Sequence, residues 1–112
     1  MYRWEVNSAL LLAALLLAGC QDGAEQQELQ LGQRVWEGTC RVCHLNGLGG
    51  APAKGNRKAW AARIDQGLEV LVEHALHGFS GEQGSMPARG GNPALGDAEV
   101  RAAVKYMVSQ SR

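Results

Sequence analysis

The feature that most constrains this 112-residue chain is the segment CRVCH at positions 40–44. The spacing C-x-x-C-H is the attachment signature of c-type haem. Cys40 and Cys43 lie three positions apart, so both thiols can add to the two vinyl groups on one edge of a porphyrin. The adjacent imidazole of His44 is then held beneath the iron as its fifth ligand. The segment therefore predicts one covalently bound haem c with His44 as an iron ligand.

Three other kinds of site use the same residues. A thioredoxin-like dithiol also has C-x-x-C, but the sequence lacks the alternating strand pattern that a βαβ framework requires. A structural zinc site needs four ligands; the segment supplies three, which leaves His74 or His77 as the fourth. A disulfide between Cys40 and Cys43 is an alternative in an oxidising compartment, although it gives His44 no role. The pattern favours haem over all three.

The length and composition are consistent with this prediction. A chain of 112 residues allows one domain, and its 5% aromatic content and 15 glycines provide few large side chains for a core. Domains of this size often need a metal, a disulfide or a cofactor for stability, and a porphyrin supplies a flat apolar plate. The formal net charge is zero, so the sequence gives no reason to expect nucleic acid as a partner.

The N-terminal segment predicts export and anchoring. Residues 9–18 are ten uninterrupted apolar residues, about half of the roughly 20 that span a bilayer, and they have the size of a signal-peptide core. Residues 17–20, LAGC, resemble the lipobox of bacterial lipoproteins, in which the cysteine is lipidated. We expect a lipoprotein signal peptide over 1–19, lipidation of Cys20 and a polar lipidated tether over 20–28. An ordinary cleaved leader and an uncleaved anchor are the alternatives.

The second iron ligand has four candidates in the sequence. His74 and His77 fall beside the apolar stripe of a predicted amphipathic helix, which favours positions at its rim. Met107 lies on the apolar stripe of the last predicted helix, which favours core packing. Met86 instead lies in a glycine-rich segment, 81–91, that has no stripe to join. A thioether is a soft, neutral ligand that raises the haem potential, so we predict Met86 as the distal ligand. The alternative is a loop methionine that caps a small apolar surface.

Residues 29–112 resemble the bacterial class I c-type cytochromes, in particular the short cytochrome c5 group. The resemblance is carried by the C-x-x-C-H segment and by Met86-Pro87. Gly32, Trp36 and Cys40 follow one another at four-residue intervals, which places them on one helical face. They resemble the family's N-terminal helix, where the glycine permits a close crossing of the C-terminal helix. The resemblance implies an all-α class I cytochrome c fold, with about four helices around one covalent haem. We predict helices near 29–42, 57–64, 67–77 and 97–109, the last capped by Asp97, and irregular loops at 45–56 and 78–96.

The resemblance also implies roles for three further residues. Residues 49–52, GGAP, resemble the loop whose proline carbonyl accepts a hydrogen bond from the proximal histidine, which would pair Pro52 with His44. Trp60 and Arg63 match a short helix near the haem propionates and are candidate propionate partners; core packing and a surface charge are the alternatives. The sequence has no extra cysteine pair, which some members of the group carry.

The function implied by the resemblance is single-electron transfer on the periplasmic side of a bacterial membrane, without enzymatic activity. The expected partners are a redox protein donor and a redox protein acceptor, and no small-molecule substrate. From residue 29 onward the chain has ten basic and seven acidic residues, a mild excess that suits an acidic partner or a scatter of solvated charges. The alternatives are a small haem enzyme or gas or redox sensor with a displaceable Met86, and a cytochrome subunit of a larger membrane oxidase or reductase.

Overall fold

The computed structural model describes residue 19 and residues 22–112. The elements in chain order are α1 (22–44), α2 (Arg57–Asp65), α3 (Leu68–His77), β1 (Phe79–Gly81), β2 (Gly84–Met86) and α4 (Asp97–Ser109). Within α1 the backbone is α-helical over 22–35, π-helical over Trp36–Cys40 and α-helical again over Arg41–His44. The chain is thus mostly helical, which confirms the predicted fold class, with one small hairpin added.

Local signals explain where the middle helices begin and end. The side chain of Asn56 accepts a hydrogen bond from the backbone N–H of Ala59 at 3.1 Å, which caps the start of α2. Gly67 and Gly78 flank α3 with φ values of 99° and 84°, in a region that glycine adopts more readily than other residues. These signals are readable in the sequence, and α2 and α3 lie within a residue of their predicted bounds.

Helix α1 begins earlier than the sequence predicted. The structure is already helical over 22–28, in the segment that was expected to be a polar tether. Its Ala, Gln and Glu residues are good helix formers, and Glu28 forms an ion pair with Lys105 of α4. Cys20 and residues 1–18, which carry the predicted signal peptide and lipidation site, lie outside the described part of the chain. None of the described helices combines the length and the apolar composition that a membrane crossing requires.

Helices α1 and α4 cross at a glycine. A Cβ atom at Gly32 would lie 2.0 Å from the backbone oxygen of Ala102 and 2.8 Å from Cβ of Tyr106. Real side-chain carbons do not approach backbone so closely, so only glycine fits at this position. One turn later the rings of Trp36 and Tyr106 pack with centroids 6.1 Å apart. The close crossing implied by the spacing of Gly32 and Trp36 is therefore present.

Helix α4 is the most extensively buried helix of the described chain, and its start differs from the prediction. Gly96, not Asp97, is the N-cap residue. The carboxylate of Glu99 accepts a hydrogen bond from the backbone N–H of Gly96 at 3.0 Å, as in the second half of a capping box. Asp97 is instead the first helical residue and forms an ion pair with Arg89 at 2.6 Å. The carboxylate of Asp97 is therefore directed to a neighbouring loop.

A short antiparallel hairpin occupies part of the predicted irregular loop 78–96. Its strands β1 and β2 pair Phe79 with Met86 at the open end. At the tip, a Cβ atom on Gly50 would lie 1.7 Å from the backbone oxygen of Gln83. The hairpin tip therefore packs backbone against backbone on the turn Leu48–Gly50. The sequence did not reveal these strands because three-residue strands rich in Gly and Ser show no apolar alternation.

We expect Gly32→Ala to destabilise the protein by at least about 2 kcal/mol, because the added methyl group meets the backbone of α4. Gly38→Ala in the same helix is the matched control, since a Cβ atom there meets nothing within 4 Å. This control should be neutral or stabilise by up to about 1 kcal/mol. The measurement is the free energy of unfolding in denaturant; equal stabilities for the two variants would contradict the close crossing.

Candidate functional site

One cavity of about 520 Å³ lies between the C-terminal end of α1, helices α2 to α4 and the hairpin. Its volume is in the range of about 300–1,000 Å³ typical of cofactor sites. All the residues that the sequence analysis proposed for cofactor binding lie on its wall, namely Cys40, Cys43, His44, Pro52, Trp60, Arg63 and Met86. Residues separated by up to 46 positions in the sequence are therefore brought to one cavity.

The two cysteines of the C-x-x-C-H segment reach the cavity from the end of α1. Cys40 closes the π-helical turn and Cys43 lies in the following α-helical turn. Both are partly buried thiols that are not joined to each other. Burial raises the pKa of the Cys40 thiol to about 11, so this group is neutral at physiological pH. A redox-active dithiol needs the opposite, a lowered thiol pKa, and the burial of Cys40 therefore argues against the dithiol alternative.

His44 is buried and its ring is oriented by a loop carbonyl. Its Nδ1 lies 2.9 Å from the backbone oxygen of Pro52. A carbonyl only accepts hydrogen bonds, so Nδ1 carries the proton and Nε2 carries the lone pair that can bind a metal. Burial lowers the pKa of His44, the bond to Pro52 opposes this effect, and the charge of Arg63 adds to it. The imidazole is therefore neutral at physiological pH, in the form that binds iron.

Trp60 contacts the cavity in a different way from the one expected. The residue is buried, and its indole N–H donates to the backbone oxygen of Ala53 at 2.9 Å. Indole has a single donor, so Trp60 has no N–H left for a haem propionate. Its ring instead packs near the ring of His44, with centroids 6.2 Å apart. These contacts match the alternative of core packing beside the proximal histidine, and the contact of Trp60 with a propionate stays a prediction.

Arg63 keeps donors that can face an anion. One of its Nη atoms donates to the backbone oxygen of Ala59, one turn earlier in α2, at 2.6 Å. A guanidinium has five N–H groups, so this bond leaves others at the cavity wall. Arg63 is half-buried there. Its position is compatible with the predicted contact to a propionate.

The candidate second ligands occupy different environments. Met86 ends strand β2, is half-buried and lies on the cavity wall. Met107 also borders the cavity but is 3% exposed within the core cluster of α4. The ring of His74 stacks on the ring of Phe79 with centroids 4.0 Å apart. His77 is exposed and its Nε2 lies 3.3 Å from the carboxylate of Glu73. Of these two methionines, Met86 lies at the end of the short hairpin, outside the helices, and Met107 belongs to the core.

The described residues contain no group of three or more His, Cys, Asp or Glu side chains that converge to hold a metal ion.

The sequence analysis missed two residues that shape the site. Phe79 lines the cavity and stacks on His74; its only signal was that it is the single phenylalanine of the chain. Lys54 donates its backbone N–H to the oxygen of His44 at 2.7 Å. The ammonium group of Lys54 lies 4.1 Å from the ring centroid of Trp36, in a cation–π contact. No local pattern indicates this contact, because Lys54 and Trp36 meet only through the tertiary fold.

These observations together define a class of protein. A helical shell encloses one cofactor-sized cavity. The thiols of Cys40 and Cys43 and the oriented imidazole of His44 reach the same wall, and Met86 borders it. This is the arrangement that covalent haem attachment with an axial histidine requires. The fold and the site are those of a c-type cytochrome.

Comparisons with known proteins agree with this class. Residues 27–107 match the family model described as cytochrome c oxidase, cbb3-type, subunit III. Cytochrome c-555 of Chlorobaculum tepidum is 44% identical over 107 residues, which cover 96% of each chain. Cytochrome c5 of Azotobacter vinelandii is 36% identical over 70 residues, or 61% of this chain and 80% of that protein. The crystal structure of an electron transfer complex of nitrite reductase with cytochrome c contains a chain that superposes with a TM-score of 0.64 at 39% identity, covering 73% of this chain and 95% of that chain.

This chain belongs to the cytochrome c family. It binds haem c covalently, and its relatives are electron-transfer proteins and not enzymes. The predicted likeness to the cytochrome c5 group holds, and the cytochromes c-555 match over more of the chain. The residues present fit this cofactor, since the cavity has the required volume and the C-x-x-C-H side chains line it.

We expect the double variant Cys40→Ser/Cys43→Ser to lose covalent haem, because hydroxyl groups do not form thioethers with the vinyl groups. The measurement is the haem that stays with the polypeptide after extraction in acidic acetone. Cys20→Ser is the matched control, since Cys20 lies outside the C-x-x-C-H segment, and it should retain the haem of the parent protein. Retention of haem by the double variant would contradict attachment at these two positions.

Proposed function

We propose that this protein is a periplasmic, membrane-tethered carrier of single electrons, with His44 and Met86 as the two axial ligands of its haem iron. The observation that carries the proposal is that the C-x-x-C-H segment and residues 81–91, called the Met86 loop below, line the same cavity. Bound haem supplies a one-electron ferric–ferrous couple. The side chains described below hold the cofactor and close its coordination.

His44 is prepared for a permanent ligand role. Its Nδ1–H donates to Pro52, which leaves Nε2 as the nitrogen available to iron. The backbone N–H of Lys54 binds the oxygen of the same histidine, so ring and backbone are both anchored to one loop. Burial keeps the ring neutral. These contacts support a ligand that keeps its orientation as the charge of the iron changes.

Met86 supplies a neutral sulfur from a segment that is distant from His44 in the sequence but lines the same cavity. Its backbone is held by strand pairing with Phe79, and its side chain packs beside the core cluster. A thioether favours reduced iron and raises the haem potential. Histidine and methionine together leave no open position for a substrate, which supports a carrier over a haem enzyme or sensor.

Apolar side chains at the cavity mouth support contact with a redox protein. Val42 and Leu48 line the cavity and are 75% and 61% exposed, and the neighbouring Leu45 is 42% exposed. Such a patch is typical of a surface that excludes water when a partner docks. The structural relative comes from an electron transfer complex of a cytochrome c with nitrite reductase. We infer that the donor and the acceptor of this protein are likewise redox proteins.

The proposed membrane attachment rests on the lipobox-like residues 17–20. Two or more acyl chains give stable anchoring. Residues 22–28 of the proposed tether are helical, which shortens the distance that the tether can span. A helix rises about 1.5 Å per residue, so this segment spans about 10 Å, less than half of its extended length. The folded domain would therefore work close to the membrane surface.

We expect Met86→Ala to remove the methionine–iron charge-transfer band of the oxidised protein and to lower its reduction potential, because no thioether then reaches the sixth position. Met107→Leu is the control, since it removes the buried methionine with little change in volume, and it should keep the band. The measurements are the far-red absorption spectrum and the midpoint potential.

Two outcomes would contradict the proposed ligation. One is a Met86→Ala protein that stays six-coordinate at an unchanged potential without added ligand. The other is rapid binding of carbon monoxide by the reduced parent protein, which would favour the haem enzyme or sensor.

We expect Cys20→Ser to move the protein from the membrane fraction to the soluble periplasmic fraction, because the thiol that accepts lipid is lost. Intact mass of the purified parent protein should show both haem and acyl groups, and the variant should show haem alone. A variant that stays in the membrane fraction without acyl groups would indicate an uncleaved N-terminal anchor.

A further inference from the structure

Arg89 is strained by its backbone conformation. It is the only non-glycine residue with a positive φ in the part of the chain that the structure describes, at φ 55° and ψ 28°. A Cβ atom makes this left-handed region unfavourable. Gly90 and Gly91, which follow, adopt positive φ without that penalty. Strained residues persist where surrounding contacts over-determine them, so the contacts of Arg89 are informative.

The side chain of Arg89 joins its loop to the start of α4. Its Nη1 donates to the backbone oxygen of Leu95 at 3.0 Å, and its Nη2 lies 2.6 Å from the carboxylate of Asp97. The side chain of Arg89 is 27% exposed and that of Asp97 is 76% exposed, so the guanidinium is partly shielded from water while the carboxylate is not. Charge-assisted bonds from a planar guanidinium define a geometry more strictly than neutral bonds do. The turn Ala88–Gly91 is thereby fastened to the most buried helix.

Arg89 follows Met86 by three residues, and the segment between them has little room to move. A Cβ atom on Gly78, just after α3, would lie 3.1 Å from both the oxygen of Met86 and the nitrogen of Ala88. Downstream, the side chain of Asn92 donates to the hydroxyl of Thr39 at 3.2 Å, next to the first cysteine of the attachment segment. The Met86 loop is thus held on the hairpin side by strand pairing and on the other side by Arg89 and Asn92.

We propose that Arg89 is a positioning residue that keeps Met86 at the haem iron by fastening the Met86 loop to α4. The proposal rests on the His44/Met86 ligation proposed above. An external ligand can bind the sixth position only when the loop moves Met86 away. The apparent affinity for that ligand therefore reports the fraction of molecules in which the loop is open. Arg89 lowers that fraction by stabilising the closed loop.

Imidazole binding to the oxidised holoprotein measures this fraction. In Arg89→Gln, the apparent imidazole affinity should rise about tenfold, the size expected for losing the part-buried bond from the guanidinium to the Leu95 oxygen together with the ion pair to Asp97. The methionine–iron band should persist in the absence of imidazole. Arg101→Gln is the matched control, because Arg101 also lies on a charged pair, with its guanidinium 3.0 and 2.5 Å from the carboxylate oxygens of Glu69. Its imidazole affinity should change by less than about twofold, as for other exposed pairs.

Two further variants separate the side-chain contacts from the backbone strain. Arg89→Gly removes the contacts and also the strain, so the inference expects a rise in imidazole affinity like that of Arg89→Gln. Arg89→Lys keeps the charge but not the planar fork, and should restore part of the parent behaviour. Should Arg89→Gln not fold, Asp97→Asn breaks the same pair from the other end and should raise the affinity about threefold.

The results distinguish this inference from the proposed ligation. If Arg89→Gln and Arg89→Gly bind imidazole as weakly as the parent protein while all three show the methionine–iron band, the ligation stands and the role of Arg89 is wrong. If the parent protein lacks the band, the ligation itself is wrong. If Arg101→Gln matches Arg89→Gln, a general loss of stability explains the effect and the inference is overturned.

Discussion

The hydrogen bond from Nδ1 of His44 to the oxygen of Pro52 is the contact on which the site depends. It selects the tautomer whose Nε2 can bind iron, and it ties the end of α1 to the loop that follows. Two more bonds hold the same loop, from the backbone of Lys54 to His44 and from the indole of Trp60 to Ala53. Because these three hydrogen bonds link residues 52–54 to His44 and Trp60, the loop and the imidazole ring are held in fixed positions relative to each other. A histidine held this firmly suits a cofactor whose charge changes without a change in ligation.

The rest of the fold combines a hydrophobic core, which includes Trp36, Trp60 and Tyr106, with one cofactor-sized cavity. A 112-residue chain with few aromatic residues leaves about 520 Å³ between its helices. Close backbone contacts at Gly32 and Gly50 bring α1 to α4 and the hairpin to the turn Leu48–Gly50. The helices therefore enclose the cofactor cavity. The pairing of Phe79 with Met86 and the contacts of Arg89 hold the Met86 loop at the wall of this cavity. In the ligation proposed above, this closure would keep both axial positions filled in both oxidation states, which suits electron transfer.

Much of the fold was predictable, because its signals are local. The bounds of α3 and α4 follow from apolar periodicity, and Gly67 and Gly78 flank α3. Helix α2 has no apolar stripe, and its prediction came from the family resemblance. The hairpin was not predictable, since its three-residue strands have no alternation and are stabilised by docking on another loop. The early start of α1 was also missed, although the composition of 22–28 favours a helix.

The sequence by itself determined the chemistry of this protein, because covalent haem attachment needs two cysteines and a histidine at fixed, short spacing. It also indicated Met86, the methionine without an apolar stripe. Only the tertiary structure decided which partners the polar groups meet. Trp60 donates to Ala53 and not outward, and Arg89 reaches Leu95 and Asp97 across a loop. A single N–H or guanidinium binds whichever acceptor the folded chain brings within about 3 Å. Such encounters depend on loop paths that no local pattern of residues specifies.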